Sequence, residues 1–211
     1  MTVLDFIGIY DPLTRLKSMG FLPALTWDVC AMQPVARDDR GLSLNATRFN
    51  EPLGGYDLLV VPGGFGTRTL KDDPRFLAWL QSAAPAKLKV SVCTGALLLG
   101  AAGFLRGKRA TTHPAEYDAL RPYCAEVVAR RIVDEGDVVT AGGVTSAIDV
   151  GLYLVERLAG PDVRRKIARR MDYPYAGGRC AVGGVVRTGP RALGAAVTTL
   201  RTACRSLSFT G

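Results

Sequence analysis

Short apolar runs and longer helical patterns follow one another along this chain. Residues 57–61 and 87–92 are mostly apolar runs that end in a glycine-rich turn and a Cys-Thr-Gly turn, which is typical of buried strands in a parallel sheet. Apolar positions with helical spacing occur in four further segments: 74–81, 94–104, 145–158 and 162–171. A shorter helix is predicted over 115–120, after a proline. Strands that alternate with helices predict an α/β fold with a layered sheet.

Two pairs of alternating segments predict strands joined by tight polar turns. In the first pair, strands at 24–32 and 42–49 flank a turn at 37–41. In the second pair, strands at 125–133 and 138–141 flank a turn at 134–137. No internal repeat divides the sequence. At 211 residues the chain is long enough for one domain with a sizeable core.

The last 36 residues, 176–211, differ in composition from the rest of the chain. They contain seven Gly, six Ala and five Arg but no acidic residue, and no helical or strand period holds for long. Only 193–200 has the pattern of a short helix. We therefore predict an α/β domain over 1–175 and a Gly/Ala/Arg-rich tail over 176–211 that is mostly disordered or loosely attached.

A net charge of +8 can indicate nucleic-acid binding, but the distribution of the charge along the chain argues against it. The tail carries five of the 27 basic residues, and the remaining 22 in residues 1–175 are nearly balanced by 19 acidic ones. A DNA-binding face needs positive charge built into the folded body. We therefore expect a small-molecule substrate and no nucleic-acid partner.

The cysteines, the histidine and the apolar stretches indicate a cytoplasmic protein without metal. Five widely spaced cysteines with no Cys-x-x-Cys pair indicate reduced thiols rather than a disulfide framework or a zinc site. His113 is the only histidine, which rules out a multi-histidine centre. The uncharged stretch 90–105 is too short to span a bilayer, and Asp5 and Asp11 interrupt the apolar run that a signal peptide needs.

The segment that ends at Cys93 carries the most informative chemical pattern. An apolar strand stops at this residue, and Gly95 permits a tight turn into a helix, which is the arrangement of a nucleophile elbow. The amides and macrodipole of a helix N-terminus lower the pKa of a thiol, and the Thr94 N–H is placed to receive an oxyanion. The alternative is a buried structural cysteine.

Pro62-Gly63-Gly64 follows the first buried strand and is the candidate for a second oxyanion donor. Two glycines allow close approach of the backbone and an inward-pointing N–H. Parallel sheets gather ligands at the carboxyl ends of their strands, so this turn is expected near Cys93. By itself, Pro-Gly-Gly indicates only a turn.

Asp5 and His113 each have a structural and a functional interpretation. Asp5, between two apolar residues, is either a helix N-cap or a partly buried carboxylate with a raised pKa, and only the second can move a proton near neutral pH. His113, in a strand-like Thr-Thr-His, is more typical of a structural histidine. It can line a pocket but is not expected to be the base.

Five motifs occur in the order found in a known superfamily: Leu4-Asp-Phe-Ile-Gly8, Val60-Val-Pro-Gly-Gly-Phe-Gly66, Ser91-Val-Cys-Thr-Gly95, Arg109-Ala-Thr-Thr-His-Pro114 and Ala141-Gly-Gly-Val-Thr-Ser-Ala-Ile-Asp149. Together they resemble the ThiJ/PfpI superfamily of the class I glutamine amidotransferase-like fold, over residues 1–175. Within it, the Cys-Thr-Gly elbow and Asp5 are similar to the isonitrile (isocyanide) hydratase branch and to the sensor domains of AraC-type regulators. This resemblance implies a three-layer sandwich with a mainly parallel, flavodoxin-like sheet, and a homodimer.

The resemblance also implies roles for individual residues. Cys93 matches the elbow nucleophile, and Asp5 matches the acidic residue that family members place beside the thiol. Gly63 or Gly64, together with the Thr94 amide, matches the oxyanion site.

Two further matches concern the surroundings of the nucleophile. The helix from Thr145 onward, with Ala147 and Ile148, matches the one that packs over the pocket. Thr94 stands where the peptidase branch has a histidine, so the adjacent Cys–His pair of that branch is missing. This departure argues against peptidase activity.

The start of the chain departs from the family pattern as well. Family members have a core strand of about ten residues before the segment that matches residues 1–6, and this first core strand is missing here. Losing a central strand exposes unpaired edges and removes apolar burial. We expect the chain to be less soluble than a version extended upstream by such a strand, and equal melting temperatures would contradict this.

The leading functional expectation is cysteine-dependent hydration of an isocyanide to an N-substituted formamide. Cys93 attacks the terminal carbon, Asp5 acts as acid and then as base, and no metal or organic cofactor is needed. One alternative is a glyoxalase- or deglycase-type enzyme that forms a hemithioacetal between Cys93 and a 2-oxoaldehyde. The other is a non-catalytic ligand- or redox-sensing domain related to AraC-type regulators, which would not bind DNA directly because residues after 175 have no helix-turn-helix pattern.

Overall fold

The computed structural model describes residues 1–175 and, beyond them, the backbone of strands at 185–187 and 207–210. The α-helices of this part are α1 Val3–Ser18, α2 Thr67–Leu70, α3 Pro74–Gln81, α4 Gly95–Ala101, α5 Tyr117–Leu120, α6 Ser146–Ala159 and α7 Pro161–Arg170. The strands are β1 Trp27–Ala31, β2 Val35–Arg37, β3 Ser43–Asn45, β4 Arg48–Phe49, β5 Leu58–Val61, β6 Leu88–Val92, β7 Arg109–Ala110, β8 Glu126–Val127, β9 Ile132–Asp134, β10 Val138–Ala141, β11 Val185–Arg187 and β12 Leu207–Thr210.

Eight strands form one sheet in the order β11-β9-β10-β6-β5-β12-β1-β4. Every neighbouring pair in it is parallel except β9 and β10, which are antiparallel. Two small pairs, β2 with β3 and β7 with β8, stand apart from this sheet. The predicted α/β class with a mainly parallel sheet is confirmed.

Helices cover both faces of the sheet because strand residues alternate between two hydrophobic cores. Val60 and Val90 pack in the core that also holds apolar residues of α1, α6 and α7. Leu59 and Val61, the neighbours of Val60, pack in the core that holds residues of α3, α4 and α5. This alternation follows from the strand period of two and produces the predicted three-layer sandwich.

Helix α1 lies in a part of the chain for which the sequence predicted no helix beyond a possible cap at Asp5. Its apolar residues at positions 6, 9, 13 and 16 have helical spacing and are buried. Gly8 lets it approach α6 closely, since a Cβ there would lie 2.6 Å from the Ala147 Cβ. This contact fixes the first turn of α1 beside the carboxyl ends of the central strands.

Most predicted elements occur within a few residues of their expected bounds. The helix predicted at 74–81 is α3, with Asp73 as its N-cap, and the hairpin predicted around 134–137 is β9–β10. The other predicted hairpin is wrong: β1 pairs with β4 in parallel, and the turn at 38–42 joins the short strands β2 and β3 instead. Strands β2 and β3 are mostly exposed and do not pair with the main sheet, so the local turn decides their pairing.

Strand β12 occupies the position between β1 and β5 and is parallel to both. The sequence analysis predicted no strand at 207–210, and this strand lies in the interior of the main sheet. The strands at 185–187 and 207–210 also lie in a tail that was predicted to lack regular structure. The remaining residues of that tail, including the possible helix at 193–200, lie outside the described residues, and its predicted disorder stays a prediction there.

A chain that ends at residue 206 is expected to melt about 10 °C below the full chain. Without β12, the facing edges of β1 and β5 have no ladder partner in the middle of the sheet. Thermal unfolding followed by circular dichroism measures the difference. Ser208→Pro, which removes a ladder donor, is expected to act in the same direction, whereas unchanged melting of both variants would contradict a stabilising role for β12.

Candidate active site

Cys93 lies at a sharp turn between β6 and α4. Its backbone φ of 55° is in the left-handed region that non-glycine residues rarely adopt. The turn is held by the Cys93 N–H, which donates to the Ala141 and Gly142 carbonyls at 3.0 and 2.8 Å, and by the Thr112 hydroxyl, which donates to the Cys93 carbonyl at 2.8 Å. The surrounding hydrogen bonds therefore maintain a strained nucleophile-elbow geometry, as the sequence predicted.

The elbow depends on two glycines that face other backbone atoms. A Cβ on Gly95 would lie 2.3 Å from the Val61 carbonyl oxygen, so only glycine fits between β5 and the start of α4. A Cβ on Gly63 would lie 2.6 Å from the Thr94 nitrogen and 2.9 Å from Asp5 Oδ2. The Pro-Gly-Gly turn therefore packs directly against the elbow, as expected for neighbouring parallel strands.

Asp5 is a fully buried carboxylate rather than a helix cap. Thr2 is the N-cap of α1, and Asp5 lies in the first turn with 0% exposure. Its Oδ2 accepts a hydrogen bond of 3.0 Å from the Gly63 N–H. Burial raises the pKa of Asp5 to about 6, while the hydrogen bonds from Gly63 and the Cys93 thiol act to lower it. The group is therefore ionised at neutral pH yet can be protonated at little cost.

The expected lowering of the Cys93 pKa is wrong for this state of the site. Burial, followed by the negative charge of Asp5, raises the pKa of the thiol to about 11, although hydrogen bonds from Thr94 act in the opposite direction. The resting pair is therefore a neutral thiol beside a carboxylate. The positive end of α4 thus does not outweigh the effect of burial on the pKa of this thiol.

Thr94 holds the Pro-Gly-Gly turn through its side chain. Its hydroxyl accepts a hydrogen bond of 2.9 Å from the Gly64 N–H and donates one of 3.1 Å to the Gly64 carbonyl. The Gly63 amide is engaged by Asp5. Both glycine amides assigned to an oxyanion site therefore have partners within the protein, and their observed role is to orient Asp5 and Thr94.

Thr94→Val is expected to lower the free energy of unfolding by about 1–3 kcal/mol, because it leaves the buried Gly64 N–H without its acceptor. The turn that orients Asp5 would then lose one of its side-chain anchors, so kcat should fall more than KM rises. Chemical denaturation and steady-state kinetics measure the two effects. Thr94→Ser is the matched control and should retain both properties; equal losses in Ser and Val variants would contradict an anchoring hydroxyl.

A cavity of about 400 Å³ opens above Cys93, and its size suits a small molecule. The predicted site residues Gly64, Cys93, Thr94 and His113 line it. His113 Nδ1 accepts a hydrogen bond of 3.2 Å from the Ala115 N–H. A ring nitrogen that accepts from a backbone amide is already engaged, so Nδ1 of His113 is not available as a base.

The other predicted site residues do not line this cavity: Asp5, Gly63, Ala147 and Ile148. Ala147 is fully buried against Gly8 of α1, and Ile148 packs partly buried against the same core. Val144, in the loop before α6, lines the cavity in their place. The helix predicted to cover the pocket thus contributes through the loop at its N-terminus.

Several wall residues were missed by the sequence analysis: Thr2, Val3, Leu4, Asp39, Arg40, Phe65, Arg68 and Ala115. Asp39 and Arg40 belong to a segment recognised only as a polar turn. Nothing in the local sequence indicates that this turn folds back onto the start of α1. Phe65 follows directly after the Pro-Gly-Gly turn, and its place next to this motif is the sequence feature that could have identified it as a wall residue.

Similarity to known proteins, in sequence and in fold, places this chain in a family. The family model described as the DJ-1/PfpI family matches residues 26–157, which is more than half of the chain. The chain belongs to the DJ-1/PfpI family. It is 40% identical over 174 residues to a protein named isonitrile hydratase from Pseudomonas putida, a match that covers 82% of this chain and 74% of that protein.

A second relative represents another class of protein. The HTH-type transcriptional regulator CdhR of Pseudomonas aeruginosa is 28% identical over 174 residues, covering 80% of this chain but only 51% of the regulator. Among solved structures, a THiJ/PfpI family protein from Pseudomonas syringae has a TM-score of 0.74 and 27% identity, and the match covers 97% of this chain and 83% of that one. The relatives of this chain thus include one protein named as an enzyme and one named as a transcriptional regulator.

Within the part of the chain that the structure describes, no helix is both long and apolar enough to cross a membrane.

Proposed function

We propose that this protein hydrates an isocyanide to an N-substituted formamide, with Cys93 as nucleophile and Asp5 as acid and base. The observation that carries the proposal is the buried pair of Asp5 and Cys93, in which a neutral thiol lies beside a carboxylate of raised pKa. The similarity to an isonitrile hydratase supports it. Proton transfer, not oxyanion binding, is what this pair is equipped for.

In the first half of the reaction, the thiol adds across the terminal carbon of the isocyanide. Asp5 takes the Cys93 proton as the S–C bond forms and delivers it to the same carbon. The product is a thioimidate with the atoms S–CH=N–R, in which an S–H bond has been replaced by one S–C and one C–H bond. A carboxyl with a pKa of about 6 is suited to both transfers, because it is ionised at neutral pH and can therefore take the thiol proton, yet is protonated at little cost.

In the second half, water converts the thioimidate to product. The Asp5 carboxylate removes a proton from water as the oxygen bonds to the carbon, and that proton is passed to the nitrogen. The C–S bond then breaks, the hydroxyl proton goes to the sulfur through Asp5, and the formamide HC(=O)–NH–R leaves. One isocyanide and one water give one formamide, with no change of oxidation state and the Cys93 thiol restored.

The engaged glycine amides favour this chemistry over acyl transfer. Amide hydrolysis builds negative charge on a carbonyl oxygen and needs donors free to receive it. Here the Gly63 N–H binds Asp5 and the Gly64 N–H binds the Thr94 hydroxyl. The attack on an isocyanide generates its charge on carbon, where a proton from Asp5 neutralises it, so no second oxyanion donor is required.

Incubation of the full chain with an aromatic isocyanide tests the proposal. Loss of the isocyanide absorbance, together with the N-aryl formamide identified by mass spectrometry, is the expected result. Cys124→Ala is the matched control, because Cys124 is a thiol outside the pocket and should be dispensable. A folded protein that leaves the isocyanide unchanged would contradict the proposal.

The two alternative functions give different results in related assays. The glyoxalase- or deglycase-type alternative would be favoured by consumption of a 2-oxoaldehyde without isocyanide turnover. The regulator relative keeps the sensor alternative open. Saturable binding of a small molecule without any turnover would favour that one.

We further propose that the protein is a cytoplasmic homodimer. Leu4 and Ile7, one helical turn apart at the start of α1, are each 40% exposed. Burying them against a second copy would remove this surface from water. Light scattering after size exclusion should give twice the chain mass, and Ile7→Glu should shift it toward the monomer; a wild-type monomer would contradict the proposal.

A further inference from the structure

Two arginines from different elements line the mouth of the cavity above Cys93, and they differ in their partners. Arg68, on α2, forms an ion pair with Glu116 and lies 5.1 Å over the Phe65 ring. Arg40, in the turn after β2, has no side-chain hydrogen bond or ion pair with any residue that the structure describes. Among the described residues that line the cavity, Arg40 is thus an arginine whose side chain has no carboxylate partner.

The turn that carries Arg40 is fixed by its neighbours rather than by Arg40 itself. The Asp38 carboxylate is 7% exposed and accepts hydrogen bonds of 2.8 Å from both the Arg40 and the Leu42 N–H groups. The Asp39 carboxylate accepts from the Phe65 N–H at 3.1 Å and from the Thr2 hydroxyl at 3.3 Å. These contacts attach the turn to the Pro-Gly-Gly loop and to α1, so the backbone of Arg40 has a set position at the pocket.

The acidic groups around Arg40 are committed to other contacts. Asp38 binds the amides of its own turn, and Asp39 binds the N-terminal ammonium of Met1 in addition to the two donors above. Glu116 binds Arg68 across the mouth. A ligand that supplies a negative charge would thus meet an arginine with its full hydrogen-bonding capacity available.

We infer that the substrate carries a carboxylate, which Arg40 binds while the reactive carbon lies at Cys93. This inference rests on the proposed function and names the class of isocyanide. The same cavity wall includes the apolar residues Val3, Leu4 and Val144, which suit the short carbon frame joining the isocyanide to the carboxylate. An arginine fork matches a carboxylate in geometry, so one charged group is enough to orient a small substrate.

The test compares 4-isocyanobenzoate with its methyl ester, on the wild type and on Arg40→Gln. The wild type should have about a tenfold higher kcat/KM for the carboxylate, and Arg40→Gln should remove this preference through KM while leaving the ester unchanged. Raising the salt concentration should reduce the preference, because the site is open to solvent. Arg37→Gln is the matched control, since Arg37 lies on the same hairpin but does not line the cavity. Equal kcat/KM values of the wild type for the two compounds would overturn the inference.

A binding measurement separates failure of this inference from failure of the proposed function. Calorimetry with 4-formamidobenzoate and its methyl ester needs no turnover. Tighter binding of the carboxylate that Arg40→Gln removes would support the anion site even if neither isocyanide reacts, in which case only the proposed reaction fails. Equal affinities, or equal loss for both compounds in Arg40→Gln, would overturn the anion site whether or not isocyanides are hydrated.

Discussion

Cys93→Ala is expected to lower the turnover of an aromatic isocyanide at least about 1,000-fold, because the covalent route through the thioimidate no longer exists. The substitution keeps the small volume of the side chain and removes only the sulfur. The fold should therefore persist, and circular dichroism of the variant should match that of the wild type. Spectrophotometric initial rates at saturating substrate measure the loss directly.

Stability measurements distinguish loss of the nucleophile from loss of structure. Cys93 is held at a φ of 55°, where alanine is strained by about 1 kcal/mol or more and glycine is not. Cys93→Gly should therefore unfold at a higher temperature than Cys93→Ala while being equally inactive. Substantial activity in either folded variant would remove Cys93 from the mechanism.

Asp5→Asn is expected to produce the second large effect, in opposite directions for activity and stability. Asparagine can still accept the Gly63 hydrogen bond but cannot take the thiol proton, so kcat/KM should fall by at least about 100-fold. The same change removes a buried charge. A pKa raised from 3.8 to about 6 corresponds to about 3 kcal/mol of destabilisation by the ionised group, which the variant should regain.

The sign of the pH dependence follows from the raised pKa of Asp5. Folding favours the protonated form, so the stabilising contribution of Asp5 is fully present below about pH 4 and is lost as the pH rises through about 6. The advantage in unfolding free energy of Asp5→Asn over the wild type should be largest at pH 7 and should vanish near pH 4. If the proposed reaction holds, kcat/KM of the wild-type protein should rise with pH through about 6, because only the carboxylate can accept the proton of the Cys93 thiol.

Asp11→Asn provides the matched control for these measurements. Asp11 lies on the same helix as Asp5 but pairs with Arg15 at the surface. Its removal should leave kcat/KM unchanged and change stability by less than about 1 kcal/mol. If Asp5→Asn kept wild-type activity, or if it were less stable than the wild type at pH 7, the role of Asp5 as a buried acid and base would be contradicted.

Local patterns predicted those parts of the fold in which local and tertiary preferences agree. Helix α3 has an Asp cap, a proline in its first turn and one apolar side, and it lies where the pattern indicated. Strands β5 and β6 are buried on both faces and therefore read as apolar runs. The elbow at Cys93 followed from the same logic, because a strand that ends two residues before a glycine must turn abruptly.

Predictions failed where partners distant in the sequence decide the outcome. The pairing of β1 with β4 rather than with a hairpin partner depends on the edge of the main sheet, and the central position of β12 depends on the vacancy between β1 and β5. The pKa of Cys93 is the clearest case. Its position at a helix N-terminus predicts a lowered pKa, but burial and the charge of Asp5, 88 positions away in the sequence, raise it to about 11.

Local patterns were sufficient to predict the α/β class, the sharp turn at Cys93 and the Pro-Gly-Gly turn, because each of these is encoded in a continuous segment with a strong local preference. The residues around Asp5 left it open between a helix cap and a buried carboxylate, and only the structure shows that it is buried. Only the tertiary structure decided which state of the Asp5–Cys93 pair exists at rest, what the glycine amides bind, and that the turn with Arg40 reaches the pocket. Burial, electrostatic coupling and hydrogen bonds between segments far apart in the chain depend on distances in space, and the order of residues does not contain those distances.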